Sequence, residues 1–145
     1  MEADRQQTLI EQFKNLRGWE ERYRLIIAKG KDLKALPDDE KSEDLKVKGC
    51  QSQVWLKAAL SDEGQVHFRA DSDAMIVKGL VAIVLEVYSG LTPAQILATP
   101  PHFVKELGLD SHLSPSRANG LNSMIKQIMF YALAFDSLLK SQGRA

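Results

Sequence analysis

The chain has 145 residues, 44% hydrophobic and 26% charged, with a formal net charge of zero. That length suits one domain over residues 1–145, able to bury a single core without disulfides or metals. The charge balance and the lack of a dense Lys/Arg run speak against nucleic-acid binding, whose affinity comes largely from neutralising phosphates.

The N-terminus, MEADRQQTLIEQ, is polar and carries acids, so neither a secretory signal nor a typical transit peptide is expected. Residues 5–17 have helical periodicity, with Leu9, Ile10, Phe13 and Leu16 on one face and Thr8 with Glu11 as a candidate capping box. Gly18 interrupts. Residues 19–29 resume the period through Trp19, Tyr23, Ile26 and Ile27, and Gly30 reads as the C-terminal stop. The charged segment 31–46, with Pro37, reads as a loop holding at most one short turn. Both 28-AKGKDLK-34 and 38-DDEKSED-44 read as solvated surface.

Two alternating stretches come next, 54-VWLKAAL-60 and 65-QVHFRA-70, joined by 61-SDEG-64. They predict a β-hairpin with Gly64 at positive φ, and the residues before Cys50 are candidates for a third, edge strand. From Asp73 to about Tyr88 the chain is apolar nearly all round, the pattern of a buried central helix capped by Asp71 or Ser72. Its longest apolar run, 79–88, is too short to span a bilayer and contains Glu86. Gly79 inside this helix costs roughly 1 kcal/mol relative to alanine, which predicts close approach of another backbone.

Thr92 caps a short helix starting at Pro93, another covers 101–107, and Gly108 ends it. In 114-SPSR-117, Ser stands at a cap and Pro at the first helical position of a last helix running to about Lys140. Leu121, Met124, Ile125, Ile128, Phe135 and Leu138 form its apolar side. Helices flanking a small antiparallel sheet make the class α+β in a single domain.

Cys50 is the only cysteine, so the chain can form no internal disulfide and cannot alone ligate a structural zinc or an iron–sulfur cluster. His67, His102 and His112 are scattered without metal-ligand spacing, so no metal site is expected. A reducing, cytoplasmic compartment is the natural setting. Gly49 widens the conformations open beside the thiol, and the polar side chains of Gln51, Ser52 and Gln53 keep the loop hydrated on its other side. On these residues alone, a reactive and an inert thiol stay equally open, because exposure and pKa decide reactivity. A catalytic nucleophile needs a base, and His67 is the nearest candidate, though strand alternation reads it as an exposed strand residue. Redox sensing lacks a resolving cysteine. Thiol exchange with another protein needs only an accessible thiolate and a docking surface.

Four separated segments narrow the choice: 19-WEERYRLIIAKGK-31, 49-GCQSQVW-55, 71-DSDAMIVKGL-80 and 114-SPSRANGL-121. Along nearly the whole chain the sequence resembles the SufE family of sulfur acceptors. The residues after Cys50 look closer to SufE itself than to CsdE, the paralogue serving the CsdA-type desulfurase. The resemblance implies a small antiparallel sheet packed against helices, similar in shape to the IscU scaffold. It also implies a chemistry. A cysteine desulfurase (SufS-like), which itself carries the pyridoxal phosphate, holds sulfur as a persulfide. Cys50 takes that sulfur, stimulates the desulfurase, and passes it to an iron–sulfur scaffold such as a SufBCD-like complex.

On that likeness the chain needs no cofactor of its own; its charge balance and short apolar run predict no binding to nucleic acid or membrane, and a homodimer stays open. Cys50 is the carrier. Gly49, Gln51, Ser52, Gln53, Asp71 and Arg117 are the candidate loop-supporting or partner-binding residues. For Asp71 simple capping is the competing reading, for Arg117 a solvated surface residue, and Trp55 suits core or docking surface alike. Lys78 reads as an exposed position. The resemblance implies a thiol that turns inward among apolar residues at rest and swings out to its partner. The alternative is a regulatory module of a desulfurase or assembly complex that works without the thiol.

Overall fold

Residues Met75–Tyr88 form a helix with eight buried residues, and the rest of the chain packs around it. The structure, a computed structural model, describes residues 2–144. In chain order these form α1 (Glu2–Lys14), α2 (Gly18–Asp32), two 3-10 turns (Asp38–Glu40 and Glu43–Leu45) and the strands β1 (Val54–Leu60) and β2 (Val66–Ser72). Then come α3 (Met75–Tyr88), α4 (Pro93–Leu97), α5 (His102–Glu106), α6 (Leu109–His112) and α7 (Pro115–Ser141). The class is α+β, as helices flanking a small antiparallel sheet predict.

The two strands pair antiparallel, with Val54 opposite Ser72 and Leu60 opposite Val66. Gly64 takes φ +84° in the connecting turn, as predicted. Opposed residues share a face in such a pair. Leu56 with Ala70 and Ala58 with Phe68 therefore point into the core, against α3. Trp55, Lys57, Arg69 and Asp71 lie on the other face. The expected edge strand before Cys50 shrinks to one bridge, Lys46 to Trp55, with Val47 N–H donating to Val54 C=O at 2.8 Å.

The acidic run 38–44 is not merely solvated surface. It straps the outer face of the hairpin. Glu40 accepts from Lys57 Nζ at 2.7 Å and from both Arg69 guanidinium nitrogens at 3.0 Å. Lys41 lies 5.2 Å from the Trp55 ring centroid. Trp55 is itself buried, which settles it as packing rather than an exposed docking surface.

Several helix ends depart from the sequence reading. The first helix starts at Glu2, so Thr8 and Glu11 sit inside it and form no cap. Gly30 does not stop α2, which continues to Asp32. The reason is spatial. A Cβ on Gly30 would stand 2.7 Å from the backbone nitrogen of Gly79, and one on Gly79 would collide with the carbonyl oxygen of Ile26. Two glycines thus let α2 and α3 cross backbone to backbone, and the expectation for Gly79 holds. Thr92 and Gln95 form a reciprocal capping box on α4, and Ser114 caps α7. Leu138 departs from the predicted apolar side of α7: it is 43% exposed, as are Phe130 and Leu133 more strongly.

Gly79→Ala tests this crossing. Alanine favours an isolated helix by about 1 kcal/mol, but overpacking here costs about 1–3 kcal/mol or more. A fall in Tm of several degrees is expected by thermal unfolding. An unchanged or raised Tm would mean that α2 and α3 stand further apart.

Candidate functional site

The loop carrying Cys50 leaves the Lys46–Trp55 bridge, turns at Gly49, and re-enters the hairpin at Val54. Gly49 sits at φ +93°, a region that disfavours side chains, and a Cβ there would also press on Ser123 Oγ at 2.6 Å. The turn directs Cys50 toward α7 rather than into solvent. Its Sγ donates to the Gly120 carbonyl at 3.6 Å, a long but sulfur-appropriate contact, and the residue is half-buried.

Beside the thiol lies a pocket of about 310 Å³. Val54, Val77, Leu80, Val81, Leu121 and Met124 supply its apolar wall from β1, α3 and α7. Gln51, Ser52, Ser114, Ser116 and Arg117 make a polar rim. Burial pushes the Cys50 thiol above its ordinary pKa of 9.0. An accepting carbonyl also suits the protonated S–H rather than the anion. The start of α7 stands nearby and its dipole would favour an anion, but burial wins. In this conformation the thiol is held protonated and weakly nucleophilic.

The expected site residues separate into two groups. Cys50, Gln51, Ser52 and Arg117 meet at the pocket, and Gly49 shapes the turn. Arg117 is exposed, and among the described residues nothing pairs with its guanidinium; its backbone N–H donates to Ser114 Oγ at 3.3 Å. Gln53 works differently. Its backbone N–H and side-chain amide donate to the Asp73 carboxylate at 3.0 and 3.3 Å, and its carbonyl accepts from Asp73 N–H at 3.3 Å. These bonds tie the end of the loop to the head of α3.

Asp71 does not line the pocket. It is 2% exposed and caps nothing; Ala74 is the cap position of α3, with Ser72 Oγ accepting from Ala74 N–H at 3.3 Å. The Asp71 carboxylate accepts from Leu36 N–H at 3.1 Å and lies 3.2 Å from Lys78 Nζ and 3.4 Å from Lys41 Nζ. Lys78 is therefore a paired residue, not a simply exposed one. Burial opposes the charge on Asp71, but hydrogen bonds from Ser72, Lys78 and Leu36 together outweigh it and lower the pKa below the ordinary 3.8. Asp71 anchors the strap to the sheet and to α3.

No histidine serves the thiol. His67 is exposed on the outer hairpin face, His102 lines a separate groove, and His112 stacks on Trp19 with centroids 4.2 Å apart. Among the described residues no three His, Cys, Asp or Glu side chains group to hold a metal, and no helix is long and apolar enough to cross a membrane. The pocket walls on α3 and α7 escaped the sequence reading, because apolar periodicity marks them only as core. Gly120, inside 114-SPSRANGL-121, carried the one available signal: a glycine within a helix.

Asp71→Asn separates anchoring from chemistry. A folded pKa below the ordinary value adds stability that is present above pH 3.8 and is lost as pH falls through the folded value. The variant should lose about 1–3 kcal/mol at neutral pH, and its deficit relative to wild type should narrow below pH 3.8. A deficit that stays constant in denaturant titrations across that range would refute the anchoring role of the charge.

Comparison with known proteins bears on both fold and site. The solution structure of a hypothetical protein from Thermus thermophilus superposes with a TM-score of 0.76 at 22% identity, covering 92% of this chain and 96% of that one. At that identity the likeness shows a shared fold alone. The family model for SufE, described as an Fe-S metabolism associated domain, matches residues 7–132, a span that includes the Cys50 loop, the pocket walls and most of α7. By that match the chain belongs to the SufE family, whose domain is associated with Fe–S metabolism.

Proposed function

We propose that this protein is a persulfide carrier: Cys50 accepts sulfur from a pyridoxal-phosphate cysteine desulfurase and delivers it to an iron–sulfur assembly scaffold. The observation that carries the reading is a solitary thiol beside a pocket with an apolar wall, with no base beside it among the described residues and an exposed polar lip around it. A stand-alone thiol enzyme needs a neighbouring base to activate its nucleophile. A carrier does not, because the partner supplies the reactive sulfur.

The exchange balances without an outside oxidant or reductant. The Cys50 thiolate attacks the terminal sulfur of the desulfurase persulfide. A new S–S bond forms on Cys50, the old one breaks, and its electron pair leaves with the desulfurase thiolate. A second exchange moves the terminal sulfur to a thiol of the next acceptor and regenerates Cys50. Clearing the desulfurase thiol permits its next turnover, which is how the carrier stimulates it. The pyridoxal phosphate stays with the partner.

Two positions of the thiol suit this role. Inward, burial and the Gly120 carbonyl keep it protonated, which protects it from stray oxidants in a reducing cytoplasm. Outward, burial is relieved, the pKa returns toward its ordinary range, and the thiolate fraction rises. Gly49, already at positive φ, is the turn about which the loop reorients. Gln51 and Arg117 are exposed on the pocket rim beside the thiol and form the face offered to the desulfurase.

Incubation with a cysteine desulfurase, pyridoxal phosphate and cysteine, followed by intact mass without reductant, tests the reading. Wild type should gain sulfur on Cys50, and Cys50→Ser should gain none and lose the stimulation of alanine release. If the serine variant stimulates fully, the protein acts as a regulatory module without its thiol, and the carrier reading fails.

A further inference from the structure

Six glycines of the described chain sit at positive φ, but Gly120 is not one of them. It lies inside α7 with ordinary helical backbone, where glycine only weakens a helix. Unlike Gly30 and Gly79, it relieves no backbone crossing. The three heavy atoms nearest to a Cβ built on it all belong to one residue: Cys50 Sγ at 3.3 Å, Cβ at 3.7 Å and Cα at 3.8 Å. Ordinary carbon contacts optimise at roughly 3.5–4.0 Å, and sulfur is larger than carbon. The carbonyl of Gly120 itself accepts from Sγ.

We propose that Gly120 is the positioning residue for the thiol: the vacant side-chain position on α7 is the seat that holds Cys50 inward, and the Gly120 carbonyl fixes it there. A methyl group at this position stands 3.3 Å from Sγ, tighter than ordinary contact, so the thiol must shift in its seat while the helix stays intact. The consequence for sulfur traffic rests on the carrier reading above. A persulfide adds a second sulfur to the same side chain, so the space over Gly120 also limits how the loaded loop returns to the pocket. The seat itself is independent of that reading.

The test uses the full chain, as wild type, Gly120→Ala and Asn119→Ala. Asn119 is exposed on the same turn, so its variant controls for helix propensity. Alkylation of Cys50 by iodoacetamide is followed against pH, with thermal unfolding alongside. Gly120→Ala should show a lower midpoint of the rate profile; a fall of about one unit raises the thiolate fraction, and hence the neutral-pH rate, roughly tenfold. Its Tm should equal or exceed that of wild type, and Asn119→Ala should keep the wild-type profile. A Gly120→Ala profile identical to wild type overturns the proposal. So does an equal shift in Asn119→Ala.

Should Gly120→Ala not fold, nuclear Overhauser contacts between Cys50 β-protons and Gly120 α-protons in wild type decide the matter. Their presence upholds the seat, and their absence overturns it. Sulfur loading by a desulfurase, read by mass on the same proteins, keeps the two readings apart. A shifted alkylation profile without loading removes the carrier and leaves the seat. Loading with an unchanged profile does the reverse.

Discussion

One contact underlies the carrier proposal: the Cys50 thiol lying against the backbone of α7. A thiol is cheap to bury and a thiolate is not, so the position of this side chain sets its reactivity. Everything around it holds that contact in place. The Gln53–Asp73 bonds fasten the loop to α3, Gly49 turns it back over Ser123, and Ser114 starts α7 where its second turn meets the sulfur. A loop fixed at both ends suits the proposed exchange between two positions of one side chain, because it leaves the core undisturbed.

The rest of the molecule is arranged to be rigid by contrast. Gly30 and Gly79 bring α2 and α3 into backbone contact, and α3 then supplies Val77, Leu80 and Val81 to the pocket wall. On the far face of the hairpin, Glu40 and Asp71 bind Lys57, Arg69, Lys41 and Lys78, clamping the 33–47 segment onto the strands. The strands that flank the cysteine loop are thereby held from both faces. The proposed displacement at Cys50 needs rigidity behind the loop, because a floating hairpin would expose the thiol at random.

Much of this could be read in the sequence, for physical reasons that differ by element. The hairpin was legible because alternation and a Gly-bearing turn are local signals, as were the Ser114–Pro115 start of α7 and the Thr92 cap. Gly79 was legible because a glycine in an apolar helix demands a neighbour. Gly30 is not legible for lack of that neighbour: near a helix end, a glycine looks like a stop. Asp71 and the acidic strap are not legible because their partners lie up to 35 residues apart in the chain, as Leu36 and Asp71 do, and Lys78 because its partner Asp71 lies across the turn from β2 into α3. The proposed exchange chemistry and the inward turn of the thiol come from a family likeness, whereas its seat against Gly120 needed coordinates. Periodicity marks Leu121 and Met124 as buried but cannot say that they face a cysteine.

The most direct measurement is a single-turnover transfer. A cysteine desulfurase is first loaded with labelled persulfide, freed of cysteine, and mixed rapidly with this protein. Samples are then trapped by alkylation and the label is located by peptide mass. Label should leave the desulfurase and arrive on Cys50 with one shared rate constant. Loss of the desulfurase persulfide with no label reaching Cys50 would contradict the carrier role.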